Sequence, residues 1–116
     1  MKKNLILLVC SLLVILGLVR GVPTLAQSNE YADCINDVYY YVAFRMMQDA
    51  ITSADCALNA AQTPIELQTA YLMRALAYAI DENFEAAFRD WQAAYEIELS
   101  NPALFLVLAD IYGGTG

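Results

Sequence analysis

Histidine is absent from all 116 residues of this chain. Ser-His and Cys-His nucleophilic pairs and His-built metal sites are therefore excluded. Lysine occurs only at Lys2 and Lys3, so the rest of the chain has none for Schiff-base chemistry or for a phosphate-binding loop. Glycine is missing from residue 29 to residue 112, and proline interrupts that interval only at Pro64 and Pro102. Ala, Leu, Glu and Gln fill the gap, so an all-α chain is expected. Asp81, Glu82 and Glu85 are the densest carboxylate cluster, but they lack the spacing of a calcium loop and sit where a helix start stabilises negative charge. No catalytic residue, cofactor or metal site is expected, and the chain reads as a non-enzyme.

Lys2 and Lys3, an apolar run from Leu5 to Val19, Arg20 and then the small-residue stretch Thr24-Leu25-Ala26 follow the order of a secretory signal peptide. The run falls short of the ~20 residues that span a bilayer as a helix. Cleavage after Ala26 is expected, leaving 27–116 as the mature chain; an uncleaved anchor is the alternative. Three of the six basic residues lie in the leader and all 13 acidic residues beyond it, so the mature net charge is −10. Only Arg45, Arg74 and Arg89 remain as cations, too few to neutralise nucleic-acid phosphates or to hold an anionic membrane surface.

The cysteines remaining after cleavage are Cys34 and Cys56, and an exported compartment, periplasmic or extracellular, lets a disulfide persist. On one straight helix they would stand about 33 Å apart at ~1.5 Å per residue, far beyond the ~7 Å limit for bridged Cα atoms. Two antiparallel helices turning near Arg45–Asp49 bring them together, and closing that loop is worth roughly 3 kcal/mol.

Helix starts are legible at Thr63-Pro64-Ile65-Glu66, at Asn101-Pro102 and at Ser28 or Asn29, with a polar break at Asp81-Glu82-Asn83. After that break Phe84, Ala87, Phe88, Trp91, Ala94 and Tyr95 form one helical stripe, with Asp90 off it. Tyr39-Tyr40-Tyr41 is read as part of a helix covered on several faces. Between Thr63 and Asp81 two faces are apolar, so that helix needs neighbours on two sides.

Tyr71-x-x-Arg74-Ala75-x-x-Tyr78 recurs as Phe105-x-x-Leu108-Ala109-x-x-Tyr112, each aligned pair 34 residues apart. With Ala87-x-x-x-Trp91-x-x-Ala94 after Phe84, this pattern resembles the tetratricopeptide repeat (TPR). The best unit covers 68–101, a degenerate one 34–67 and a partial one 102–116. In the degenerate unit Phe44 aligns with Tyr78, Ser53 with Ala87, Ala57 with Trp91 and Ala60 with Ala94, while bulky Tyr41 falls at the place of Ala75. Arg74 stands where the family prefers Leu, and Ala75 where it prefers Gly. A generic Ala-rich helical bundle is the competing reading.

The resemblance implies antiparallel helical hairpins stacked as a short TPR-like α-solenoid, with Tyr71, Ala75, Tyr78, Phe84, Ala87, Trp91, Ala94, Phe105, Leu108, Ala109 and Tyr112 as its core. It further implies a groove formed by Ile35, Val38, Val42, Arg45, Thr69, Leu72, Leu76, Ala79, Ile80, Ala103 and Leu106. Such a groove is mostly apolar, so the expected partner is a hydrophobic or amphipathic segment of another exported protein. The alternative is a structural unit that forms a homo-oligomer through its incomplete C-terminal repeat. Neither nucleic acid nor, once the leader is removed, a membrane is expected as a partner.

Overall fold

The computed structural model describes residues 29–115 and consists there of five α-helices: α1 Glu30–Ala43, α2 Met47–Ala60, α3 Pro64–Ile80, α4 Phe84–Ile97 and α5 Ala103–Thr115. The expected leader and the expected cleavage after Ala26 lie outside the described residues. Among those described, no helix is long and apolar enough to cross a membrane.

Each expected start is capped. Thr63 Oγ1 accepts from the Glu66 N–H (3.2 Å), and Glu66 Oε1 reaches back to the Gln62 N–H (2.9 Å), which completes a capping box one residue earlier than usual. Asn29, Asn83 and Asn101 accept from the N–H groups of Ala32, Ala86 and Ala103. The chain turns without glycine because Arg45 (φ 61°) and Glu82 (φ 63°) take the left-handed conformation, at a cost of about 1–2 kcal/mol for a side chain with a Cβ. Both turns close alike: the Met46 N–H donates to Tyr41 O and the Asn83 N–H to Tyr78 O, each at 2.8 Å, which satisfies carbonyls left over at a helix end.

That equivalence corrects the register of the first hairpin. Tyr41 occupies the place of Tyr78, 37 residues on, and not that of Ala75. Wholly buried Val38 then falls at the place of Ala75, Ala50 at that of Ala87 and Ala57 at that of Ala94, all without exposed surface. The turns and the small buried residues set the register, and no single interval runs through the chain. Between α3 and α5 the interval is 34: Ala70, Met73 and Ala77 are buried on α3, and Leu104, Val107 and Ile111 on α5.

Every helix packs on its neighbour in sequence, and α3 also touches α1 and α5. α3 is thus clasped on two sides, as its two apolar faces require. Leu72, Ala75 and Ala79 face Ala87, Ala94, Leu104, Val107 and Ile111, while Ala70, Met73 and Ala77 meet α1 and α2. Cys34 and Cys56 form a disulfide with Cα atoms 5.8 Å apart, joining α1 to α2 beside Ala57 and Ala70. Its reduction should lower stability by about 3 kcal/mol, read as a lower denaturation midpoint with an unchanged helical signal at low denaturant.

Two polar devices lock the packing. Gln68 is wholly buried; its amide donates to Ala94 O (2.9 Å) and Glu98 O (2.7 Å), and its oxygen accepts from Asn101 Nδ2 (2.8 Å). It thereby serves the orphan carbonyls at the end of α4. Gln68→Leu leaves the Ala94 carbonyl buried without a partner and should cost about 1–3 kcal/mol in chemical denaturation. The second device is Arg74, whose Nε and Nη2 donate to the two oxygens of Asp90 and whose Nη1 donates to Asp55, all at 2.7 Å. Asp90 therefore lies in the core, 6% exposed, and not off the packed stripe.

Candidate protein-binding groove

Helical rotation sorts α3 into four strips. Two are the packed faces above. A third, Leu67, Tyr71, Arg74 and Tyr78, looks out between α2 and α4. The fourth, Ile65, Thr69, Leu76 and Ile80, lies opposite the third.

On this fourth side Arg45, Leu76, Ala79 and Ile80 come together with Asp110 around an open hollow of about 280 Å³. Its floor is aliphatic. Arg45 approaches from the α1–α2 turn and Asp110 from α5, so the rims carry opposite charges. Arg45 is exposed and makes no ion pair among the described residues. Its backbone is left-handed, and its N–H donates to Val42 O (3.1 Å).

The other expected groove residues divide. Ile35 and Val42 are half-buried against Val38, Met73 and Leu76. Thr69 is half-buried and donates to Ile65 O (2.8 Å), and burial pushes the Tyr31 phenol up, with a smaller opposing effect from Thr69. Ala103 is half-buried at the core edge, and Leu106 is 69% exposed one turn before Asp110. Val38 and Leu72 do not line an open groove: Val38 has no exposed surface and Leu72 has 4%. Both point between helices, because a helix clasped on two sides retains only narrow free strips. Leu72→Asp would place a carboxylate in the core, so loss of helicity is expected. Ile80→Asp is the appropriate groove variant.

Among the expected core residues, Ala75, Ala87 and Ala94 are wholly buried, and Tyr71, Tyr78, Phe84, Trp91 and Leu108 are half-buried. Phe105, Ala109 and Tyr112 are exposed instead, because α5 packs through Leu104, Val107 and Ile111. Tyr39 and Tyr40 are also exposed, and Tyr40 contacts the Phe44 ring (4.7 Å). Only Tyr41 of that run is packed, against Ala50, Ile51 and Ala77.

Sequence reasoning missed Asp110, although it lies four residues beyond Leu106 and seven beyond Ala103, on one helical strip. It also missed Ile65, which is exposed at the N-terminal end of the same strip of α3. A hollow of about 450 Å³ on the opposite side is lined by Asp55, Leu58, Asn59, Leu67, Tyr71 and Arg74. Its cation is already engaged by Asp55 and Asp90. Asp90's hydrogen bonds hold Arg74 still more firmly charged, against the opposing effect of burial. No protein-family model, curated protein or solved structure matches this chain.

Proposed function

We propose that this chain is an exported, TPR-like helical stack that holds an amphipathic segment of another exported protein. The observation carrying this reading is the hollow of Arg45, Leu76, Ala79, Ile80 and Asp110. An aliphatic floor between one cation and one carboxylate suits a short segment with an apolar anchor and flanking polar groups. Opposite charges at the rims orient such a segment and discriminate against the reverse register. The contacts of α3 with both α1 and α5 support stacked hairpins, as does the 34-residue recurrence of buried positions from α3 to α5. The Cys34–Cys56 disulfide is compatible with an oxidising compartment.

A photo-crosslinking residue placed at Leu76 or Leu106 tests this directly, with Arg89 on another face as control. Both groove positions should capture one and the same polypeptide, the control should not, and Ile80→Asp should abolish capture while leaving the circular dichroism unchanged. Equal capture from Arg89, or none from the groove, would contradict the reading. The second reading, self-assembly, is favoured by the exposed apolar surface of α5.

A further inference from the structure

The C-terminal end of the stack is the surface least like the rest of this acidic chain. α4 and α5 run antiparallel there: Trp91 Nε1 donates to Leu104 O (2.7 Å) at one end, and a Cβ on Gly114 would run into the Phe84 ring at the other. Phe88 and Tyr95 stack on either side of Trp91, with ring centroids 5.7 and 5.1 Å away. Beside this ribbon, the outer strip of α5 presents Phe105, 68% exposed, with Ala109, Tyr112 and Gly113. Asp110 points away, into the hollow on the other side.

We infer that this end face docks on the same face of a second copy, related by a two-fold axis, with the two α5 helices crossing near Ala109 and Gly113. This rests on the self-assembly reading and names its partner and its symmetry. Charge selects the occupant. The mature chain carries 13 carboxylates against three arginines, so two copies repel over most orientations. The groove side carries Arg45 and Asp110, the α2–α4 side Asp55 and Arg89, and the outer side of α1 carries exposed Asp33 and Asp37. On the strip Phe105, Ala109, Tyr112 and Gly113, and on the Phe88–Tyr95 ribbon beside it, there is no charged side chain, so two copies can meet there without opposing carboxylates, whereas the exposed Tyr40 and Phe44 of α1 share their strip with Asp33 and Asp37.

Size agrees with a modest dimer. With aromatic side chains of ~150–250 Å² each, the exposed parts of Phe105, Tyr112 and Tyr95 and their small neighbours amount to on the order of 500 Å² per copy, the low end of specific interfaces. The small side chain of Ala109 and the open space around Gly113, where a Cβ would meet nothing within 4 Å, leave room for a close helix crossing.

Sedimentation equilibrium of the disulfide-bonded protein should show a monomer–dimer equilibrium in the micromolar range. Ala109→Glu should weaken it at least tenfold. Ala109→Leu separates docking from stickiness: it adds apolar surface but fills the crossing, and should also weaken the dimer. Ala109→Cys should form a crosslinked dimer with itself on oxidation, since residues near a two-fold axis meet their own copies. A protein monomeric throughout, a dimer untouched by Ala109→Glu, one strengthened by Ala109→Leu, or higher assemblies from head-to-tail contact would each overturn the inference. Ile80→Asp should dimerise normally, and Ala109→Glu should still crosslink from Leu76, so failure here is distinguishable from failure of the groove.

Discussion

Arg74→Met should lower the stability of the protein by about 3–5 kcal/mol, because it leaves the Asp90 carboxylate buried without its cation. Arg74 joins three helices: it lies on α3, takes both oxygens of Asp90 on α4 and one of Asp55 on α2. It also lies over the Tyr71 ring, 5.9 Å from its centroid, a cation–π contact worth about 0.5–1 kcal/mol at a partly exposed site. The two carboxylates are not equivalent. Asp90's side chain is 8% exposed and Asp55's is 50%, so Asp55→Asn should cost at most about 1 kcal/mol. Arg74→Met with Asp90→Leu removes both charges from the core and should recover most of the loss. Urea denaturation of the four proteins checks this; a single Arg74→Met variant as stable as wild type would mean that the pair is solvated.

Trp91→Ala should cost about 3 kcal/mol, the lower end for a large aromatic because the indole is only half-buried. The ring packs on the main cluster with Leu104 and Val107, and its N–H donates to Leu104 O in the first turn of α5, a hydrogen bond worth about 0.5–1.5 kcal/mol that ties α4 to α5. Trp91→Phe retains most of the packing and should lose only about 1 kcal/mol. At roughly 4–8 °C per kcal/mol for a domain of this size, Trp91→Ala should lower Tm by more than 10 °C. An unchanged melt would mean that α5 does not dock on α4.

Helix positions were legible in this sequence because prolines and asparagines mark them: Pro64 and Pro102 stand within a residue or two of observed starts, and Asn29, Asn83 and Asn101 act at them. The disulfide was legible because two cysteines 22 residues apart can meet only across a hairpin. The register of that hairpin was not. A search for one interval cannot register a first unit offset by 37 residues beside a second offset by 34, and alanine is frequent enough to align at either. Val38 and Leu72 were assigned to an open strip because spacing indicates which residues share a face, but not whether a neighbour covers it. Asp90 and Gln68 escaped as core residues because polarity reads as exposure until their partners, on other helices, are known.

The most direct test of the proposed stack is to insert a second copy of residues 68–101 after Asn101. In a stack of repeats each unit meets only its neighbours, so an added unit extends the core without disturbing it. The lengthened protein should fold, gain helical signal in proportion to its two extra helices, retain the Cys34–Cys56 disulfide and melt at or above the wild-type temperature. A chain that is unfolded, or melts well below wild type, would contradict the stack and favour a closed helical bundle whose core admits no additional pair.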